Sequence, residues 1–159
     1  QIYQDCGVTS GLVNLGGNVQ ALGCKTDGSK WKVAIQSPDD TEEYLGILEI
    51  EDQAVITSGG YERYFEEDGV TYHHIIDPAT GYPADSGLIS VTIVSDDGTL
   101  ADGLSTSLFI MGEEKAAQFW KENSEKFETI METADGKLYE TEGIADSLTT
   151  DMDVTVIHK

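Results

Sequence analysis

The stretch LISVTIVSDDGTLADGLSTSLFIM, residues 88–111, contains the clearest strand and the clearest helix in this sequence of 159 residues. Its first part, residues 88–94, is rich in β-branched side chains, which favour strands. Thr99 is a candidate N-cap, and Asp102 follows it at the spacing of a capping box. Apolar side chains then recur at helical spacing, at Leu100, Leu104, Leu108 and Met111. The stretch therefore predicts a strand followed by a capped helix.

Shorter patterns extend this unit on both sides. A second helix is predicted over residues 113–123, and strands are predicted at residues 31–35, 45–50, 54–57, 72–76, 128–132, 137–140 and 154–157. Within residues 45–50, alternation places Leu45 on the face opposite Leu48 and Ile50. Strands in runs, with the helices clustered together, predict an α+β fold with a largely antiparallel or mixed sheet and two or three helices. The length fits a single domain over residues 1–159.

The charge balance limits the classes of ligand. The chain has 30 Asp and Glu residues against 9 Lys and Arg, a formal net charge of −21. Nucleic acid is excluded as a partner because binding to its phosphate backbone depends on basic contacts. Any other anionic ligand would need a bridging cation or local hydrogen-bond donors. Cys6 and Cys24 are too few for a zinc site or a disulfide scaffold.

The helix of the opening stretch carries a candidate metal site. Asp102 and Thr106 are four residues apart, so a helix places them on one face. A carboxylate and a hydroxyl are hard oxygen ligands that suit Mg²⁺, which uses few protein ligands. The alternative is that Asp102 belongs to the capping box and Thr106 is an ordinary helical residue.

The segment YHHIIDPATGYP, residues 72–83, carries two adjacent histidines at a strand end. Histidine is suited to proton transfer near neutral pH. Because side chains alternate along a strand, His73 and His74 are expected to face opposite sides, so only one of them can serve a given site. The alternative is that Asp77 and Thr80 build a turn while the histidines pack structurally.

Two glycine-containing segments complete the candidate sites. Arg63, the single arginine, ends the segment TSGGYER at residues 57–63 and could clamp a phosphate or tie down an acidic neighbour. Gly16 and Gly17, followed by Asn18, break an apolar segment in two. They could let a ligand approach the backbone closely, or they could form a plain hairpin turn.

Taken in order, five segments resemble the ApbE family of flavin transferases. They are NLGGN at 14–18, VAIQ at 33–36, TSGGYER at 57–63, HIIDPATGYP at 74–83 and ADGLST at 101–106. Each motif is weak alone, but their combination over residues 11–112 is highly specific. Family members run to about twice this length, so the resemblance implies the C-terminal half of a longer protein with an ApbE-like, T-fold-like architecture.

The resemblance implies a magnesium-dependent FAD:protein FMN transferase. A Thr or Ser hydroxyl of a target flavoprotein would attack the phosphorus on the FMN side of FAD, and AMP would leave. By position, His74 matches the catalytic histidine, while Asp102 and Thr106 match the metal ligands. The expected FAD-binding residues are Gly16, Gly17, Asn18, Ser58, Gly59, Arg63, Asp77 and Thr80. Two alternatives are an FAD pyrophosphatase and a non-catalytic module that binds flavin or divalent cations.

Two further expectations follow from the family resemblance. The parent protein would be an extracytoplasmic lipoprotein anchored to a membrane, although residues 1–5 show no signal-peptide pattern. Gly103 stands where the family often has alanine. A helical glycine lowers helix stability by about 1 kcal/mol relative to alanine, but this difference removes no ligand.

Overall fold

The computed structural model describes residues 2–38, 43–61 and 63–159. Within these ranges the helices are α1 (Ile2–Asp5), α2 (Gly98–Met111) and α3 (Glu113–Asn123), with a 3₁₀ helix at Glu142–Ile144. The strands are β1 (Gly11–Leu15), β2 (Asn18–Leu22), β3 (Trp31–Gln36), β4 (Tyr44–Ile50), β5 (Ala54–Gly59), β6 (Tyr64–Glu67), β7 (Val70–His73), β8 (Leu88–Ser95), β9 (Glu128–Thr133), β10 (Leu138–Thr141), β11 (Leu148–Thr149) and β12 (Val154–Ile157). None of these helices has the length and apolar character needed to cross a membrane.

Most of the strands belong to one central sheet. In the described part of the chain it has seven strands in the order β1-β2-β5-β8-β9-β10-β12. Every neighbouring pair is antiparallel except β10 and β12, which are parallel. A second sheet has the order β11-β4-β3, and β6 pairs with β7 as a separate hairpin. The prediction of an α+β fold with a largely antiparallel sheet and few helices is confirmed.

Two apolar clusters cover the two faces of the central sheet. The first packs sheet residues such as Ile56, Val91 and Ile93 against Leu108 and Phe109 of α2 and Trp120 of α3. The second packs Val55, Val94 and Ile130 against Val33, Ile35 and Leu48 of the three-stranded sheet. Adjacent residues belong to different clusters because strand side chains alternate. The result is three layers, with α2 and α3 on one face of the central sheet and the small sheet on the other.

The predicted face of Leu45 is wrong. Leu45 is buried in the second cluster together with Leu48 and Ile50. The register of β3 with β4 shifts at this point, because Ile35 pairs with Gly46 while Gln36 pairs with Tyr44. The unpaired extra residue is Leu45, and such a bulge changes the side to which the following positions point.

The N-terminus of α2 also differs from the prediction. The helix begins at Gly98, and its N-cap is Asp97, whose side chain accepts hydrogen bonds from the backbone N–H groups of Thr99 and Leu100 at 2.9 and 3.1 Å. The capping box of Thr99 and Asp102 is therefore absent. An aspartate before the helix satisfies two N–H groups at once, so the carboxylate of Asp102 is left to face other elements.

The structure has a hairpin of β6 and β7 where the sequence predicts one strand. The strand predicted at residues 72–76 instead ends at His73, and only an isolated bridge of Ile76 with Pro83 follows. Its partner β6 was not predicted, because all four of its residues are exposed and show no apolar alternation. The turn signal was present in Asp68-Gly69, where both residues have positive φ, 52° and 78°.

Burial affects the carboxyls of Glu128 on β9 and Glu140 on β10. Glu140 is only 6% exposed, and its burial raises the pKa of its carboxyl above the ordinary 4.5. Burial also raises the pKa of Glu128, partly opposed by hydrogen bonds from Thr141 and the backbone of Gly143. Both carboxyls are therefore easier to protonate in the folded chain than in the unfolded chain.

We expect Asp97→Ala to lower the free energy of unfolding by about 1 kcal/mol, because two backbone N–H groups at the start of α2 lose their acceptor. Thr99→Ala is the matched control and should change it far less. Urea unfolding followed by circular dichroism measures both. An equal or larger loss for Thr99→Ala would contradict the assignment of the cap.

We expect Glu140→Gln to raise stability at pH 7. Between its unfolded pKa and its raised folded pKa, the folded chain binds more protons at Glu140 than the unfolded chain does, so stability falls as the pH rises above about 4.5. Glutamine cannot ionise, and the variant should flatten this fall. The control is Glu142→Gln, since His158 lowers the pKa of Glu142 and gives it the opposite pH dependence. Urea unfolding from pH 4 to pH 8 would disprove the assignment if Glu140→Gln kept the wild-type slope.

Candidate active site

Asp102 and Thr106 lie one turn apart on the exposed edge of α2. The residues just before them, Ala101 and Ser105, are fully buried against the central sheet. Because α2 packs on β5 and β8 through this stripe, the next position on each turn lies at the rim of the contact. Both side chains are exposed. The structure thus places the two predicted metal ligands on one face, open to a ligand.

The turn between β1 and β2 brings Asn18 to Asp102. Gly16 and Gly17 both have positive φ, 63° and 96°, and the Gly17 N–H donates to the side chain of Asn14 at 3.0 Å. The two glycines therefore form the turn between β1 and β2, and their role in FAD binding stays a prediction. Asn18 follows the turn, and its amide donates to Asp102 Oδ1 at 3.0 Å. A bond between residues so far apart in sequence could not be read from the motifs.

Ser58 extends the same row from the end of β5. Its Oγ lies 2.8 Å from Ser105 Oγ and 3.1 Å from Thr106 Oγ1. Ser105 Oγ in turn donates to the backbone oxygen of Asp102 at 3.0 Å. Ser105, which is not among the predicted site residues, lies buried beneath this row and bonds to Ser58. Asn18 with Asp102 and Ser58 with Thr106 are thus two hydrogen-bonded pairs one turn apart on α2, and these four side chains are here called the α2 row.

The two glycines after Ser58 leave room for aromatic rings. A Cβ on Gly59 would lie 2.2 Å from the Tyr61 ring, and a Cβ on Gly60 would lie 2.9 Å from Cδ2 of His73. Gly59 is buried. The missing side chain of Gly59 makes room for the Tyr61 ring, and its role in FAD binding stays a prediction. Glu62, part of the same motif, lies outside the described residues.

The two neighbouring histidines have different surroundings. His73 packs edge-on against Phe109 with ring centroids 5.6 Å apart, and its Nε2 lies 3.1 Å from the Ala84 carbonyl oxygen. His74 is exposed, and its Nδ1 lies 3.3 Å from the Arg63 carbonyl oxygen. A carbonyl only accepts, so Nε2 of His73 and Nδ1 of His74 are the donating nitrogens. In a neutral His74 ring, Nε2 then carries the free lone pair.

The loop after His74 is built by Asp77 and Thr80. Asp77 Oδ1 accepts from the Ala79 N–H at 2.8 Å, and the Asp77 carbonyl accepts from the N–H groups of Thr80 and Gly81. Thr80 Oγ1 accepts from the Tyr82 N–H at 3.2 Å. Both residues therefore shape the turn, as the structural alternative held. FAD binding by their side chains stays a prediction.

Arg63 lies beside His74 at the start of the β6–β7 hairpin. Its carbonyl accepts hydrogen bonds from both the backbone N–H and the ring of His74. The guanidinium is exposed, and it forms no ion pair with any residue in the described ranges. This leaves its charge available to an anion. Arg63, His74, Asp77 and Thr80 are here called the loop group, and in the described part of the chain this group has no hydrogen bond to the α2 row.

The α2 row offers oxygen donors of the kind that Mg²⁺ binds. It presents the carboxylate of Asp102 with the hydroxyls of Thr106 and Ser58, and magnesium commonly takes one or two carboxylates and fills its other positions with water or phosphate. Among residues 2–38, 43–61 and 63–159 no three His, Cys, Asp or Glu side chains are grouped to hold a metal. The donor set therefore fits a magnesium ion shared with a phosphate ligand better than a closed protein site.

The family sequence model of ApbE matches residues 1–131, and the chain belongs to the ApbE family. It is 40% identical over 134 residues to the FAD:protein FMN transferase of Vibrio cholerae, a match that covers 84% of this chain and 40% of that protein. It is 43% identical over 122 residues to the FAD:protein FMN transferase of Treponema pallidum, covering 71% of this chain and 34% of that protein.

Solved structures agree with this assignment. The crystal structure of the ApbE protein of Thermotoga maritima aligns with a TM-score of 0.77 at 37% identity, covering 84% of this chain and 43% of that one. The flavin transferase ApbE from Vibrio cholerae aligns with a TM-score of 0.77 at 35% identity, covering 92% of this chain and 47% of that one. The chain thus spans less than half the length of the relatives it matches.

We expect Gly60→Ala to destabilise the chain and to shift the NMR signals of residues 73–84, because the added methyl must push the His73 ring off the Ala84 carbonyl. The control is Gly103→Ala. Its Cβ would meet nothing within 4 Å on the exposed side of α2, so it should stabilise by about 1 kcal/mol. Thermal unfolding and ¹⁵N–¹H spectra measure both effects. Unchanged signals for residues 73–84 in Gly60→Ala would show that His73 does not hold this loop.

Proposed function

We propose that the protein of which this chain is a part transfers FMN from FAD to a Thr or Ser hydroxyl of a target flavoprotein, with Mg²⁺ as cofactor and AMP as the other product. The observation that carries the proposal is the α2 row, which joins Asp102 and Thr106 to Asn18 and Ser58 in a member of the ApbE family. The relatives named FAD:protein FMN transferase support the reaction class.

The α2 row supplies the site for the cation. Asp102 and Thr106 would hold Mg²⁺, and their exposure leaves room for a phosphate oxygen as a further ligand. The cation would neutralise the pyrophosphate and the charge that develops on it during transfer. This matters in a chain of net charge −21, which otherwise repels a dinucleotide.

His74 is the proposed base. Its Nδ1–H donates to the Arg63 carbonyl, which orients the ring and leaves Nε2 able to take a proton. The acceptor hydroxyl oxygen bonds to the phosphorus on the FMN side while its proton passes to Nε2. The bond from that phosphorus to the bridging oxygen breaks, and AMP leaves with this oxygen. The product is a phosphodiester between FMN and the acceptor.

Arg63 is the proposed positioning group for the anionic substrate. Its exposed guanidinium lies on the same hairpin end as His74 and can form two parallel hydrogen bonds to phosphate oxygens. Asp77 and Thr80 would act indirectly, by holding the loop that follows His74. Gly16 and Gly17 would act through the turn that presents Asn18 to Asp102.

FAD hydrolysis is the second candidate. His74 is exposed, so water could take the place of the protein hydroxyl at Nε2. The products would then be FMN and AMP without a covalent adduct.

We expect FAD binding to require Mg²⁺ and to be lost in Asp102→Ala, because the carboxylate holds the cation against the pyrophosphate. Flavin fluorescence measures the binding. Asp153→Ala, which removes another exposed carboxylate, should bind as the wild type does. In His74→Ala, binding should persist while AMP release is lost, and His158→Ala is its control. Magnesium-independent binding that Asp102→Ala leaves intact would contradict the metal assignment.

Product analysis separates the candidate functions. The chain is incubated with FAD, Mg²⁺ and a flavoprotein that serves as acceptor for the Vibrio cholerae relative. Released AMP and covalently bound flavin are then measured in the same sample. Equal amounts of both indicate the transferase. AMP without covalent flavin indicates the hydrolase, and FAD binding without AMP indicates a binding module. The extracytoplasmic, membrane-anchored location of the parent protein stays a prediction, which cell fractionation can test.

A further inference from the structure

The β6–β7 hairpin carries a stacked aromatic pair, in which Phe65 is exposed and Tyr72 is half-buried. Phe65 and Tyr72 are cross-strand partners, and their rings stack with centroids 5.1 Å apart and an interplanar angle of 11°. Phe65 is 60% exposed, although removing a phenylalanine side chain from water is favourable in free energy. Two other large apolar side chains, Ile76 and Tyr82, are exposed on the loop beyond His74. Aromatic surfaces of this kind are typical of places where another polypeptide binds.

The aromatic pair shares a face of the hairpin with His74. Tyr72 and His74 are two residues apart, as are Arg63 and Phe65. The hydrogen bond from the His74 N–H to the Arg63 carbonyl continues the pairing of the two strands by one residue. Side chains two apart lie on the same side of a strand. The opposite face contains Tyr64 and His73, and His73 packs on Phe109. The face of Phe65, Tyr72 and His74, here called the hairpin face, therefore points away from the core.

We propose that the hairpin face binds the segment of the acceptor protein that presents the reacting hydroxyl. The inference rests on the proposed transfer reaction, which needs a second polypeptide to reach His74. An apolar side chain of the acceptor packs on the stacked rings of Phe65 and Tyr72. Side chains two apart on a strand are about 7 Å apart, so the Tyr72-to-His74 spacing equals that between an apolar residue and a hydroxyl two positions away on an extended acceptor segment.

The charge of the hairpin tip indicates the chemistry of that segment. Glu66, Glu67 and Asp68 lie at the tip, all exposed, in a chain of net charge −21. Glu67 shares the side of Phe65, whereas Glu66 lies on the side of Tyr64. No basic residue of the described chain forms an ion pair with these carboxylates. An acceptor segment with Lys or Arg beyond its apolar residue complements this surface.

The test compares neighbouring residues on opposite faces of one strand. The probe is a capped synthetic peptide in which threonine lies two residues from leucine and four residues from lysine. It is made in two versions, with this order running from the N-terminus and from the C-terminus, and each is titrated into the ¹⁵N-labelled protein and followed by ¹⁵N–¹H NMR. Phe65→Ser should weaken its binding at least about tenfold, since truncating an aromatic contact at an interface commonly has this effect. Tyr64→Ser removes an equally exposed ring, 56% against 60%, from the other face and should leave binding unchanged.

A charge reversal supplies a second, milder variant pair. Glu67→Lys should weaken peptide binding more than Glu66→Lys, with a difference that shrinks at high salt. The proposal would be overturned if the wild type bound no peptide. It would also be overturned if Phe65→Ser weakened peptide binding no more than Tyr64→Ser, and Glu67→Lys no more than Glu66→Lys. A dimer that Phe65→Ser converts to a monomer would overturn it as well, since a second copy would then cover this face. The titration needs no turnover, so failure of the transfer reaction would be seen separately, as absent AMP release.

Discussion

The close packing of α2 on β5 and β8 determines where the candidate ligands lie. Small side chains make this approach possible, since Ala101 and Ser105 are both fully buried at the contact. The positions next to them on the helix are Asp102 and Thr106, so burial of the stripe fixes both donors at the rim. Ser58 belongs to the same contact from the side of β5. A larger residue at position 105 would lift the helix and separate the row from the sheet end that completes it.

Much of the architecture follows from local patterns. Residues 88–111 predict β8 and α2 because both elements bury long runs with strong periodicity, and the second helix and most strands follow for the same reason. The failures have equally local causes. A bulge at Leu45 changed the face of one strand, and Asp97 took the capping role from Thr99. Strand β6 of the hairpin is not predicted from the sequence because none of its residues is buried, so it shows no apolar alternation.

The candidate site is less predictable than the fold because its contacts are tertiary. The helical spacing of Asp102 and Thr106 was sufficient to place them together. The bonds of Asn18 to Asp102 and of Ser58 to Thr106 join elements far apart in sequence, and no spacing rule reveals them. Adjacent histidines show a related limit. Alternation predicts that they face opposite sides, but only the structure shows that one ring anchors Ala84 and the other meets solvent.

The path of the chain after β10 links the layers in a way that bears on dynamics. Strand β10 lies in the central sheet, β11 crosses to pair with β4 of the small sheet, and β12 returns to lie parallel to β10. Residues 138–157 therefore contribute strands to both sheets. The β3–β4 hairpin cannot separate from the central sheet without breaking the pairing of β11, so the two sheets should open as one cooperative unit with similar hydrogen-exchange protection. By contrast, the β6–β7 hairpin pairs with neither sheet, and the contacts of His73 with Phe109 and the Ala84 carbonyl hold its base while its tip stays outside the packed layers.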